Sequence, residues 1–204
     1  MLTLCHAPRS RSTRVVQLIH ALGAEKDVEI TLTDVARVDG SGRVDPANPH
    51  PEGKVPLLVH DGVAIRETGA IMTHLTTLFP DAGLAPPVGT PQHGAFLSWM
   101  AWYGYVLEPV LVLDVAKIDH PVLTSTFRGV PEAMRVIETA LADRDHLLGA
   151  DYTAADMLIA SPFNWFRHLV PDEGPIPDWL ARCNAHPSLA AAGALDDRLL
   201  SQAA

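Results

Sequence analysis

Residues 48–70, Asn-Pro-His-Pro-Glu-Gly-Lys-Val-Pro-Leu-Leu-Val-His-Asp-Gly-Val-Ala-Ile-Arg-Glu-Thr-Gly-Ala, constrain the fold more than any other stretch of the chain. Val55-Pro56 runs into an apolar strand, Leu57 to His60. Asp61-Gly62 supplies a tight turn, and Val63 to Arg66 reads as the returning strand of a hairpin. A proline at the head of a strand has no N–H for the ladder, which leaves the Val55 backbone free to pair with something else. A cis Val55-Pro56 bond would turn that free edge outward. The hairpin ends in Glu67-Thr68, an acid and a hydroxyl, with Thr68 expected at the N-cap of a helix running to Phe79. The unpaired N–H groups of such a helix start form a carboxylate site. The plainer reading is an ordinary hairpin followed by a capped helix.

The elements around this hairpin define a fold class. Leu2 to Cys5 reads as a short buried strand and His6 to Arg11 as a loop. A helix capped by Ser12 or Ser10 then runs to Leu22 and stops at Gly23. Val15, Leu18, Ile19 and Leu22 give it one apolar stripe. Val28 to Thr33 alternates as a second strand. The order β-α-β followed by β-β-α is that of a thioredoxin-like domain. The connection from Asp34 to Pro49 is long and polar. Pro80 to Pro91 holds four prolines and two glycines and reads as a linker. The expected organisation is an α/β thioredoxin-like N-terminal domain over 1–79, a linker over 80–90 and an all-α helical-bundle domain over 91–204. Its helices are expected near 91–117, 124–147, 153–169, 176–185 and 188–200. The third opens on Thr153 with Asp156 three residues later, a capping box, and Tyr152 with Met157 as its hydrophobic staple.

Composition excludes several functions. The net charge is −9, whereas nucleic-acid binding needs a basic face. Residues 1–80 carry eight Lys/Arg and nine Asp/Glu, and residues 81–204 carry seven and fifteen, so the acidity belongs to the second half. The first 20 residues hold Arg9, Arg11 and Arg14 without an acid, which would steer a small anion there. Met1 to Cys5 is too short for a signal peptide, and no apolar run approaches the ~18 residues of a bilayer span, so a cytoplasmic protein is expected. Cys5 and Cys183 have neither Cys-x-x-Cys nor metal-ligand spacing and read as reduced, buried thiols. The ten histidines show no His-x-x-x-His pair, and no metal is expected. Gly40-Ser41-Gly42 lacks the frame and lysine of a phosphate loop.

Val55-Pro56, Glu67-Thr68 and the Thr153/Asp156 box stand in the order and spacing of the glutathione transferases, which this chain resembles over essentially its whole length. The resemblance implies that the Val55 backbone pairs with the cysteinyl unit of glutathione, and that Glu67 and Thr68 hold its γ-glutamyl end. The segment Leu148 to Asp156 is similar to the family's capping motif, which nucleates the central helix and does no chemistry. Lys54 and His50 lie where a cation would reach the glycyl carboxylate, with Lys54 preferred for its fixed charge. A homodimer and a role in detoxification follow from the same resemblance.

The implied chemistry is lowering of the glutathione thiol to its thiolate, the nucleophile. Ser10 is the first candidate to donate a hydrogen bond to sulfur, because serine-type members place a hydroxyl at this junction a few residues before an arginine like Arg14. Ser12 is the second, its alternative being a plain N-cap. Arg11 would add charge. Cys5 stands where many members carry a tyrosine and reads as a packing residue, which removes the phenol option. Lack of a cysteine at the helix start disfavours thiol-disulfide exchange. The electrophile, a small hydrophobic molecule, would bind between the domains against Trp99, Trp102 and Tyr103; a helix core or dimer contact is the other reading of that face. Besides conjugation, two alternatives stand: a glutathione-dependent isomerase, dehalogenase or lyase on the same fold, and a non-enzymatic binding module.

Overall fold

The computed structural model describes residues 1–203. Strand β1 (Leu2–His6) buries Leu4, Cys5 and His6 and lies at the centre of a four-stranded sheet of order β2-β1-β3-β4. It pairs in parallel with β2 (Val28–Leu32), Leu4 opposite Ile30. It pairs antiparallel with β3 (Leu57–His60), Cys5 opposite Leu57, and β3 turns through Asp61-Gly62 into β4 (Val63–Ile65). Helix α1 (Thr13–Leu22) presents Val15, Val16, Leu18 and Ile19 as its buried face. Its end follows from Gly23, whose left-handed φ of 66° lets the N–H groups of Gly23 and Ala24 return to the carbonyls of His20 and Ile19. Helix α2 (Thr68–Leu78) buries Ile71, Met72 and Leu75. Glu67, not Thr68, holds its N-cap, one residue before the expected position.

The helical part begins with α3 (Pro91–Trp102), which continues through a π-helical turn (Tyr103–Leu107) into α4 (Glu108–Val115). Pro109 explains the turn. It has no N–H to give the Tyr105 carbonyl, and the wider π geometry, in which the Glu108 N–H reaches the Tyr103 carbonyl, accommodates it. This 25-residue helix is long and apolar enough to cross a bilayer by length and composition, contrary to the expectation from apolar runs. Phe96, Met100, Tyr103, Leu107 and Val110 are nevertheless buried side chains of its own unit.

The single helix expected over 124–147 is two: α5 (Pro121–Phe127) and α6 (Gly129–Ala140). Arg128 and Gly129 both take positive φ, 58° and 79°, which no helix interior accepts, and Pro131 fits the first turn of α6. Helix α7 (Ala154–Ala160) is shorter than expected, with 3-10 turns over 161–164 and 167–169, and α8 (Pro175–Asn184) comes next. The capping box is present. Asp156, fully buried, accepts from the Thr153 N–H at 3.0 Å and hydroxyl at 2.9 Å, the Leu147 N–H at 2.8 Å and the Trp179 indole N–H at 2.9 Å.

The chain forms two compact units, and the last helix changes the expected division. Residues 83–185 form the helical unit. Helix α9 (Pro187–Ala203) packs on α1, so the segment from His186 onward joins residues 1–82.

Candidate active site

Sheet register gathers the predicted glutathione residues at one end of the first unit. Cys5 faces Leu57 and Leu58 faces Ile65. Past these pairs β1 runs on to Ala7, Val55-Pro56 leads into β3, and Arg66-Glu67 follows β4. The loop after β1, the head of β3 and the start of α2 therefore meet at the same edge. The Val55-Pro56 bond is cis. The main chain of Val55 pairs with no other part of the described chain.

Glu67 is exposed, yet its backbone stands at φ 66°, ψ 123°, a region a residue with a Cβ avoids. Such strain costs about 1–3 kcal/mol and concentrates at ligand clamps. Its carbonyl accepts the Ile71 N–H, and the earlier N–H groups of α2 open beside it. Lys54 is exposed and ion-paired with Glu52, which also lies 3.9 Å from Arg66.

His50 is buried and works as a brace for this loop. Its Nδ1 accepts the Glu52 N–H at 3.0 Å, its own N–H donates to Asn48 Oδ1, and the Asn48 amide donates to the Lys54 carbonyl. Burial, with Arg66 and Lys54 nearby, pulls the imidazole pKa down against the opposing pull of Glu52 and Glu67. A neutral His50 leaves Lys54 as the cation of the pair.

The two serines sit in different places. Ser10 is half-buried and Ser12 is fully buried. Ser12 occupies the N-cap position of α1, but its side chain makes no cap. Instead its Oγ lies 2.7 Å from His6 Nδ1 and 2.8 Å from Ser10 Oγ, and it accepts the Ala7 N–H at 3.1 Å. The Ser10 hydroxyl is also 2.7 Å from the Ala7 carbonyl, and its oxygen accepts the Ser12 N–H at 3.2 Å. Beyond His6, Nε2 meets Asp196 Oδ1 of α9 at 2.9 Å, and Asp196 Oδ2 accepts the Arg9 N–H at 2.6 Å and the Thr13 hydroxyl at 2.7 Å. Burial pushes the Asp196 carboxyl up, but the bonds from His6, Arg9 and Thr13 outweigh it and its pKa is lowered. An exposed Arg9–Asp197 ion pair at 2.8 Å adds a second tie from the loop to α9. Arg11 is exposed.

His6 and Asp196 did not stand out in the sequence. They are 190 residues apart, and Asp196-Asp197 on a terminal helix looks like solvated charge. Cys5 is buried, and burial, opposed by a hydrogen bond from Thr33 and reinforced by Asp45, raises its pKa; it packs rather than reacts.

On α3, Trp99 and Trp102 are half-buried and meet edge to face with centroids 5.3 Å apart. Tyr103 is 3% exposed and belongs to the core of the helical unit with Phe96, Met100 and Leu107.

Residues 4–85 match the glutathione S-transferase N-terminal domain, and residues 87–191 match the glutathione S-transferase C-terminal domain. The chain belongs to the glutathione S-transferase family. Among its relatives is glutathione S-transferase 3 of Schizosaccharomyces pombe, 25% identical over 180 residues that cover 79% of this chain and 73% of the relative. Its fold is similar to that of the bacterial transferase BphK, solved as a ternary complex, with a TM-score of 0.77 at 19% identity over 96% of this chain and 99% of the other. It is likewise similar to a sphingomonad glutathione S-transferase solved with glutathione, with a TM-score of 0.75 at 23% identity over 96% and 98%. This transferase fold thus carries the thioredoxin-like and helical parts that the sequence implied.

Proposed function

We propose that this family member is an active glutathione transferase in which the Ser10 hydroxyl donates to the glutathione sulfur and the thiolate attacks a small hydrophobic electrophile. The observation that supports the reading is the sheet order, in which the end of β1, the start of β3 and the end of β4 lie at one end of the sheet, so that the loop carrying Ser10, the unpaired Val55 main chain and Glu67 all follow from that end. In this reading Val55 pairs with the cysteinyl backbone, Glu67 and the first N–H groups of α2 hold the γ-glutamyl group, and Lys54 reaches the glycyl carboxylate. Pro56 shapes the edge and His50 braces it. Ser10 is preferred to Ser12 because Ser12 is buried behind it. Trp99 and Trp102 offer an aromatic wall to the co-substrate, while the burial of Tyr103 argues for a core role. A cytoplasmic homodimer is the assembly we expect, checked by light scattering.

The energetics are adequate. Lowering a thiol pKa of about 8.5 by about two units takes roughly 2.7 kcal/mol. A hydrogen bond to a charged group contributes about 1.5–3 kcal/mol, and the start of α1 about 0.3–1 kcal/mol.

The test is a glutathione titration that follows thiolate absorbance in the ultraviolet against pH. Bound thiol should ionise about one to two units below the free thiol, and Ser10→Ala should lose that signal while still binding glutathione. Binding without a thiolate signal in the native protein would indicate a non-catalytic binding module. Absence of binding would sink the reading altogether.

A further inference from the structure

The chain Ser10, Ser12, His6, Asp196 is continuous, with steps of 2.8, 2.7 and 2.9 Å, and it runs from a half-buried hydroxyl to a fully buried imidazole and carboxylate. The Ser10 and Ser12 hydroxyls also lie 2.7 and 3.1 Å from the Ala7 carbonyl, and one arrangement of the protons runs unbroken along the chain. In that arrangement an ionised Asp196, which can only accept, selects the His6 tautomer with its proton on Nε2. Nδ1 then offers a lone pair to Ser12, whose hydroxyl donates inward. The Ser12 oxygen, having given its proton to that bond, is free to accept from Ser10.

We infer that this chain is a proton relay, in which the glutathione thiol proton is taken up by His6 through Ser10 and Ser12 instead of being released to solvent. The inference rests on the proposed glutathione site and deepens it.

The transfer balances. The S–H bond breaks and its proton forms an O–H bond on Ser10. The former Ser10 proton passes to Ser12, and the former Ser12 proton forms an N–H bond on His6 Nδ1. The products are a glutathione thiolate and an imidazolium paired with the Asp196 carboxylate, so charge is conserved and no other reactant is needed. Every hydrogen bond has reversed: His6 now donates to Ser12, Ser12 to Ser10, and Ser10 to the sulfur. The same four groups that remove the proton therefore leave a hydroxyl aimed at the thiolate.

His6 and Asp196 act through the serines and are positioning residues. Asp196 has a further duty, since its second oxygen fixes the Arg9 N–H and the Thr13 hydroxyl and so holds the loop that carries Ser10. The burial of Ser12 and His6 explains why neither is available as a nucleophile despite the Ser-His-Asp arrangement.

The experiment counts protons. Glutathione is bound to the full-length protein at neutral pH, where the free tripeptide is nearly all thiol. Calorimetry in two buffers of different ionisation enthalpy gives protons released, and ultraviolet absorbance gives thiolate formed. The relay predicts close to zero protons released per thiolate. Release of about one proton per thiolate overturns it while leaving the proposed function intact. Failure to form any thiolate overturns both. His6→Asn keeps a hydrogen-bonding group beside Ser12 but has no basic nitrogen. It should either lose the thiolate signal or form it at higher pH with about one proton released, with urea unfolding confirming the fold. An unchanged thiolate pKa with no proton release in His6→Asn also overturns the relay.

Discussion

Glu67 shows how a single residue separates stability from function. An exposed glutamate gains nothing from the core by standing at φ 66°, and the strain it bears is recovered by no packing contact that burial reveals. Glycine tolerates positive φ without a Cβ clash. Glu67→Gly should therefore leave the protein at least as resistant to urea as the native chain. It should weaken glutathione binding by about tenfold or more, because a charge-assisted hydrogen bond to the γ-glutamyl amine is lost. Equilibrium urea unfolding and calorimetric titration measure the two effects separately. A parallel loss of stability and affinity would mean that Glu67 is structural. The residue pair Glu67-Thr68 was legible in the sequence because strand, turn and helix signals converge on it. The strain was not, since a positive φ at a non-glycine leaves no mark in composition or periodicity.

Elements are held by a few polar groups as much as by apolar stripes. Asp156 ties the segment at Leu147, the start of α7 and Trp179 of α8 through four donors. Asp156→Ala would leave buried donors unmet, each costing about 1–3 kcal/mol, so a total loss of about 3 kcal/mol or more is expected. A drop in the urea midpoint without a change of slope reports it, and a loss below about 1 kcal/mol would show that water or a rearrangement satisfies those donors. The capping box itself was readable, because Thr153 and Asp156 are three residues apart and act locally. The reach of Asp156 to Leu147 and Trp179 was not, since both bonds depend on tertiary placement. The same distinction separates α5 from α6. Gly129 and Pro131 carried a helix stop and a helix start, but the apolar positions on both sides suggested one continuous helix. Ser12 failed as a cap for a related reason: its oxygen faces the Ala7 N–H and the Ser10 hydroxyl instead of the free N–H groups of α1.

At the scale of the whole molecule, the division into units and the titration behaviour are linked. The sequence placed α9 in the helical domain because it comes after four other helices. Its packing on α1, which brings Asp196 to His6, is a long-range outcome that no local pattern encodes. The same compaction shifts three histidines in one direction. Burial, chiefly, lowers the pKa of His50 below its ordinary 6.5, and burial with the nearby His60 lowers His74; burial lowers His186. A histidine whose pKa is lower in the folded state binds fewer protons folded than unfolded in the window below about 6.5. Its contribution to stability is therefore fully present above that value and is lost as pH falls through the folded pKa. Asp196 follows the same sign at a lower range: its depressed pKa adds stability above the ordinary carboxylate value near 3.8, lost as pH falls further. Net charge works the other way, since the −9 at pH 7 shrinks toward the pI near 5.5 and self-repulsion eases. Exposed charges are screened within about 8 Å at physiological salt, whereas buried and partly buried groups are screened much less. The buried His50 and the half-buried His74 and His186 should thus decide the outcome. Urea midpoints measured at physiological salt should be level from pH 8 to 7, decline between about pH 6.5 and 5, and fall again near pH 4 and below. His74→Gln should flatten part of the first decline and leave the second in place. A midpoint that rises steadily from pH 7 to 5.5 would show that relief of surface repulsion outweighs the histidines.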